Sequence, residues 1–544
     1  MLTALKPTIF VSNLRASVKA FWRFFKSNFH AFLLFFISAL VALRNYDPGT
    51  FLSGWDTLHP EFNFNIYWGR ILDAVWQSHQ GLGAVGSQAH ASEIPRILIL
   101  EFMSLFMTMD QLRYAFAFMM LILGPLGIYI FLRSVALKKF SMNQSNLGAF
   151  AGGLFYLLNL GTMQHFYVPL EMFLVHYGFL GWVLYSASRF YETGSRRHIA
   201  AFLLFSVLII PQAHTPTLFY SYILNFGVYF VGLLFIDFFR GFVCFKAGFQ
   251  RVFLLVSFTL LVNSFWLLPN IYFVLNHSAS IQESKIHHLF SEEAFLQNKE
   301  FGKLSDVAIL RNFLFNWGEH VGGGQFGELL DEWNLHLKTP YVLELGYTFF
   351  IIIVLGMLLA FTKRERYALP VLFVCFVSIF FLFNVNPPFG FIFSFLQSQF
   401  PLFKEAFRFP FTKFSITLMF GYAVYFGYFF AYLGKVVERF VKQNYLSITL
   451  YVYLYSIVTV ALLYYMQPAI NGYMISPSMR VNIPNRYFQM FDYLYKQNQY
   501  GRVADLPIQS FWGWMYYDWD PLTKLGYQGA GFFVVWNKTA VTKS

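Results

Sequence analysis

Residues 45–111 concentrate the side chains most able to do chemistry: Asp47, Asp56, His59, Glu61, Arg70, Asp73, His79, His90, Glu93 and Arg96, interleaved with Trp55, Tyr67, Trp68 and Trp76. Carboxylates beside aromatic rings suit carbohydrate. The rings stack on the apolar faces of sugars, and a carboxylate can take the proton of a reacting hydroxyl. The plainer alternative is a solvated loop whose aromatics anchor it at a membrane interface. A second cluster, FPLFKEAFRFPFTKF at 400–414, sets Lys404, Glu405, Arg408 and Lys413 where a polar segment enters an apolar one. Cations at that depth fit a lipid-linked phosphate, or else they snorkel from a helix end. His165, Glu171, His214, His277, Glu283 and Glu344 also fall near the outer ends of apolar runs, where ionisable groups are functional candidates by default. His90, His165 and His214 lack ligand-like spacing, so no metal is required, although a divalent ion stays compatible with the chemistry. The sequence contains no Walker A loop, dinucleotide fingerprint, HExxH or CxxC, and GGGQFG at 322–327 reads as a flexible turn.

What must position these groups is a membrane. The chain is 57% hydrophobic and 12% charged, with 22% aromatic residues and 72 Phe. A soluble domain carries about twice that charge. Eleven apolar runs are candidate spans: 29–44, 112–133, 146–162, 168–188, 198–212, 217–237, 251–275, 342–361, 368–384, 411–434 and 445–466. The run 97–109 is too short to cross and fits a helix lying at the outer interface.

With Met1 inside, the cytoplasmic connections are 133–140, 189–198, 238–250, 362–367 and 435–443, and every one is basic. The short outside connections 163–167 and 211–216 contain no Lys or Arg. This alternation is the positive-inside pattern, and it accounts for the net charge of +12 without nucleic acid. The expected organisation is a basic cytoplasmic amino end (1–28), a membrane domain (29–466) with outside segments 45–111, 276–341 and 385–410, and an extracytoplasmic tail (467–544). That tail reads as mixed structure, and it either packs on the membrane domain or begins a larger domain. Cys244, in a cytoplasmic connection, and Cys375, in a span, are not expected to pair.

Three stretches of this layout, FLSGWDTLHPEFNF (51–64), QGLGAVGSQAHASEIPR (80–96) and LRYAFAFMMLILGPLGIYIFLRS (112–134), resemble the amino-terminal region of large bacterial membrane glycosyltransferases. The nearest are of the α-(1→3)-arabinofuranosyltransferase type, in the GT-C class. AFRFPFTKF (406–414) is similar to a Phe-Arg-x-Pro-x-Lys-Phe pattern in that family and in related proteins that glycosylate teichoic acids. DLPIQSFWGWMYYDW (505–519) and GYQGAGFF (526–533) are similar to the region after the last span in relatives.

The resemblance implies an all-α GT-C-like fold in a bacterial cell membrane, a polyprenyl-phosphate sugar donor, a glycan or glycolipid acceptor and an inverting transfer. It implies a carboxylate of the first outside segment as catalytic base, with Asp56 first and Asp47 and Glu61 next. Arg408, Lys413, Lys404, Arg70 and Arg96 would hold the donor phosphate, and His59, Trp55, His90 and Glu93 would contact the acceptor or sugar. The paired acidic residues of many GT-C first loops are absent here. So is the large sugar-binding portion of the arabinosyl enzymes. Two other classes fit the same spans. One is a lipid or polysaccharide transporter or flippase, which calls for paired interrupted helices near the midplane. The other is a non-catalytic protein of envelope assembly.

Overall fold

Apolar runs of span length fold as helices wherever no strong breaker interrupts them, and each of the eleven runs is helical in whole or large part. The computed structural model describes residues 28–496, apart from 56–58, 74, 78–82, 87–88, 284, 323–324 and 442–443, together with 514–517 and 527–530. In chain order the first helices are α1 (Asn28–Arg44), α2 (Phe64–Leu72), α3 (Ile94–Ser104), α4 (Met109–Phe131), α5 (Met142–Leu157), α6 (Leu160–Tyr167), α7 (Glu171–Thr193), α8 (Arg196–Leu208), α9 (Pro216–Phe239) and α10 (Phe242–His277). The polar segment that follows forms α11 (Ala279–Gln282), α12 (Lys285–Glu300), α13 (Leu304–Ile309) and α14 (Asp331–Leu337). Then come α15 (Val342–Thr362), α16 (Ala368–Phe383), α17 (Gly390–Gln399), α18 (Pro401–Ala406), α19 (Pro410–Phe440), α20 (Asn444–Tyr465) and α21 (Asn485–Lys496).

Among the described residues, six helices are long and apolar enough to cross a membrane: Met109–Ala136, Pro216–Phe239, Phe242–His277, Val342–Thr362, Phe411–Phe440 and Tyr445–Tyr465. The protein is an all-α polytopic membrane protein. Its outward rows, such as Leu261, Leu268 and Leu275 on α10 or Ile351, Leu355 and Leu358 on α15, are exposed. Rows of that kind are solvated by lipid and not by water.

α19 is the hub, buried on nearly every side. Small residues let other helices reach its backbone. A Cβ added at Gly148 of α5 would lie 2.5 Å from the Gly427 carbonyl oxygen, and one at Gly152 would lie 2.6 Å from that of Ala423. α4 and α7 cross as closely, with Gly181 against Gly127.

Two expectations change. The run 146–162 is not one helix, because Asn159 accepts from the Thr162 amide (3.0 Å) and donates back to Phe155 and Tyr156, ending α5 and capping α6. The connections 238–250 and 435–443 are largely helical, since α10 starts just after Gly241 and α19 runs on to Phe440. Of GGGQFG, Gly322 ends one strand and Gln325–Gly327 lie in its antiparallel partner, while the turn expected between them falls at 323–324, outside the described residues. α3 is short and exposes Leu98 and Phe102, followed by exposed Leu105 and Phe106, as an interfacial helix would.

The little sheet there is lies in the polar segments: β1 (Phe51–Leu52), β2 (Trp76–Gln77), β3 (Ala84–Val85), β4 (Gly318–Gly322), β5 (Gln325–Glu328), β6 (Arg480–Val481), β7 (Trp514–Tyr517) and β8 (Tyr527–Ala530). Each pairs once, antiparallel: β1 with β6, β2 with β3, β4 with β5 and β7 with β8. The β1–β6 pair brings the tail back to the first polar segment. Buried Asn45 secures it, donating to the carbonyls of Val41 (2.8 Å) and Ala469 (2.7 Å) and accepting from the Met474 amide (2.8 Å). Cys244 and Cys375 are both free thiols.

Candidate functional site

Two polar constructions stand at helix ends. The first is a buried ionic network. Asn63 caps α2, accepting from the Ile66 amide (3.1 Å), and α2 carries Tyr67 and Arg70 inward. The turn His90–Glu93 leads through Pro95 into α3, which carries Arg96. Arg113 comes from the first turns of α4. Glu171 opens α7, where a helix amino end favours a carboxylate.

These side chains meet. Arg113 pairs closely with Glu171 and reaches Glu61 at 3.8 Å, while Arg96 pairs closely with Glu93 and reaches Glu171 at 3.5 Å. His59 Nδ1 lies 2.9 Å from Glu61 and 3.1 Å from Arg113, and Arg96 donates to the Tyr67 hydroxyl at 3.4 Å. All of them are buried. Burial, reinforced by Arg113, pushes His59 down to about 4, so its imidazole is neutral. Burial opposes ionisation of Glu61, but His59 and Arg113 outweigh it and hold the carboxyl below its ordinary value. Such a network is costly to desolvate and costlier still to break. Its evident work is to fasten the first polar segment to α4 and α7.

His90 and His214 stand beside it with ring centres 5.3 Å apart. Burial drives His90 well below the usual imidazole range, and likewise pushes His214 down to about 3.

The second construction is a cavity of about 490 Å³. Leu170, Met172 and Phe173 come to it from the start of α7, Thr215, Pro216 and Thr217 from the start of α9, and Phe409, Thr412 and Lys413 from the start of α19. Three helix amino ends therefore converge, each a positive dipole end. Arg408 and Lys413 add basic side chains, and Glu405 is an acidic one in the same wall.

Lys413 is buried, and its Nζ donates to the Phe409 carbonyl (3.1 Å) and Thr412 Oγ1 (3.3 Å). Among the described residues it has no carboxylate partner. Ser291 donates to Glu405 at 2.6 Å and accepts from Arg408 at 3.4 Å. The aromatic wall sets Trp55 against Trp317, with ring centres 5.4 Å apart and planes 31° apart, and Phe313 edge-on to Trp317. Nearby, His165 lies 2.7 Å from Ser415 Oγ and stacks on Phe411, inside the helix packing.

The residues singled out in the sequence thus divide. Trp55, Arg408 and Lys413 share the cavity. Asp56, next to Trp55, lies outside the described residues. His59, Glu61, Glu93 and Arg96 belong to the ionic network, with His90 beside it. Arg96 is committed to carboxylates there and does not line the cavity. Arg70 is buried on α2, away from the cavity wall, with its Nε and one Nη unpartnered. Lys404 lies over the Phe295 ring at 5.2 Å. Asp47 is half-buried after α1, where its carbonyl accepts from Thr50 Oγ1 (2.8 Å).

Three contributors were missed. Arg113 had a signal, being a lone cation inside an apolar run with Glu171 available as counter-charge. Trp317 and Phe313 had none, because nothing local ties 313–317 to residue 55. Among the described residues no three His, Cys, Asp or Glu side chains gather as a metal site. No protein-family model and no curated protein matches the chain.

The cavity wall is also strapped to the tail. Glu319, two residues beyond Trp317, accepts from Ser478 Oγ at 2.6 Å. Burial pushes its carboxyl from an ordinary 4.5 up to about 7, against the Ser478 hydrogen bond. Because the packed state favours the neutral acid, this contribution is full below about pH 4.5 and is lost as pH rises through about 7. Thermal unfolding in nanodiscs should therefore show the wild type losing stability relative to Glu319→Gln across that interval. Parallel pH curves for the two proteins would exclude it.

Proposed function

We propose that this chain is an eleven-span GT-C-type membrane glycosyltransferase of a bacterial cell membrane, with its amino end cytoplasmic and its tail outside. It moves a sugar from a polyprenyl-phosphate donor to an extracytoplasmic glycan or glycolipid. The observation that carries this reading is one cavity that joins three helix amino ends, Arg408 and Lys413 to the Trp55–Trp317 wall. Cations and amide ends suit a phosphate monoester, and flat rings beside them suit the sugar attached to it. The sequence resemblance points the same way.

In this reading the donor phosphate lies against Arg408, Lys413 and the α19 amino end. The acceptor hydroxyl attacks the anomeric carbon from the opposite face. The bond from that carbon to the phosphate oxygen breaks, and its electron pair leaves with polyprenyl phosphate, whose growing charge the cations stabilise. The hydroxyl proton passes to a carboxylate, which we assign to Asp56. Glu405, in the cavity wall, stands second. A single displacement inverts the anomeric centre. Glu61, already ion-paired in the network, is a positioning group.

A second reading, a lipid transporter or flippase, draws support from the α5–α6 interruption at Asn159 and from the ion pairing of Glu61, Glu93 and Glu171. Purified protein in proteoliposomes, given radiolabelled polyprenyl-phosphate pentose and hexose donors with envelope glycolipid extract, separates the two. Transfer that Asp56→Asn abolishes, while the variant still inserts and binds polyprenyl phosphate, is the expected result. Label that changes leaflet without forming product would replace the enzyme with the transporter.

A further inference from the structure

A second cavity, of about 370 Å³, shares Arg408 with the first. Its walls come from α12, the turn after α16, α17 and the residues that follow α18, and carry the rings of Phe295, Phe393 and Phe407 together with Glu292 and Lys299. Its distinctive group is Asn298, which is 3% exposed. The Asn298 amide nitrogen donates to the carbonyls of Ala294 (2.6 Å) and Arg408 (2.5 Å). With both donors used, the amide orientation is fixed and Oδ1 is left as an acceptor. That oxygen is buried without a partner. The half-buried amide of Gln397 lies in the same wall.

A buried acceptor with no donor is destabilising until a donor reaches it, which narrows what belongs here. An anion drawn to Lys299 or Arg408 would still set oxygen against Asn298 Oδ1. An acyl chain would fill the space but leave Oδ1 unmet. A sugar ring answers both features, with a hydroxyl that donates to Oδ1 and a C–H face that lies on the phenyl rings. The volume suits a ligand of one or two sugar units, within the usual range of small-molecule sites.

We propose that this second cavity binds the sugar end of a neutral glycan, held by Asn298 Oδ1 and Gln397 among the three rings. Its role as acceptor site rests on the transfer reading above; sugar binding itself does not. Arg408 then stands between the two ligands, so that a hydroxyl offered from the glycan approaches the phosphate-bearing cavity directly.

Saturation-transfer NMR on the full chain in lipid nanodiscs, with methyl α-arabinofuranoside and methyl α-mannopyranoside as probes, tests this. At least one probe should give a saturable signal. Gln397→Trp, which fills the cavity from its half-buried edge, should remove that signal while n-decyl phosphate still binds. Asn298→Ala should weaken the probe about tenfold, the effect of one buried hydrogen bond, with an unchanged circular dichroism spectrum showing that the fold is kept. Absence of any sugar signal in the wild type overturns the proposal. So does a sugar signal that survives Gln397→Trp, or a loss of decyl phosphate equal to the loss of sugar. If sugar binds but no donor is ever consumed, the transfer reading fails and this inference stands. If transfer occurs without sugar binding here, the reverse holds.

Discussion

Lys413→Met should weaken polyprenyl-phosphate binding by roughly ten- to a hundredfold, the loss of a charge-assisted hydrogen bond in a dry site, and transfer should fall at least as far. The same substitution should leave the empty protein as stable as before or more so. An ammonium buried without a carboxylate partner is unfavourable in the absence of ligand, and methionine keeps the apolar stem. The two effects have opposite signs. Thermal unfolding in nanodiscs with and without added polyprenyl phosphate reads both at once. The wild type gains stability on adding lipid phosphate, whereas the variant begins level or higher and gains little. A variant that gains as much as the wild type would remove Lys413 from the phosphate site.

Arg113→Leu should cost about 3–5 kcal/mol of stability, because it leaves Glu61 buried without its arginine and Glu171 with only the more distant Arg96 at 3.5 Å. The damage should be repaired in part by a second change that removes one of these charges, so Arg113→Leu with Glu171→Gln should unfold later than Arg113→Leu alone. Non-additivity of this kind is the mark of groups in one network. The unfolding midpoint in mild detergent, followed by circular dichroism, measures it. If Arg113→Leu keeps the wild-type midpoint, the ionic network is not what fastens the first polar segment to α4 and α7.

The membrane architecture was legible because it is written locally. A run of apolar residues long enough to cross needs no distant partner to declare itself: all eleven runs fold as helix in whole or large part, and among the described residues six helices are long and apolar enough to cross. Boundaries failed where a polar residue or a water-facing helix end decides them. Asn159 breaks an apolar stretch by turning its side chain on its own backbone, and the last turns of α19 continue past the apolar limit as Lys435, Glu438 and Arg439. The cations at 408 and 413 were legible as a cluster because they are close in sequence, and Trp55 because it sits among carboxylates. The pairing of Trp55 with Trp317, and of Arg113 with Glu61 and Glu171, was not. Those contacts join segments separated by long stretches of chain, and no periodicity carries that information.

The hydrogen bond from Asn45 to Ala469 spans 424 residues of sequence, and this bears on biosynthesis. Chains are made from the amino end, so the polar segment that follows α1 emerges long before the residues that complete its surroundings. Until the last helices have been inserted, β1 has no strand to pair with and Asn45 lacks its Ala469 acceptor. The surroundings of that segment are therefore finished last, and a ribosome stalled ahead of residue 469 would leave it open to proteases and chaperones while the earlier helices were already in place.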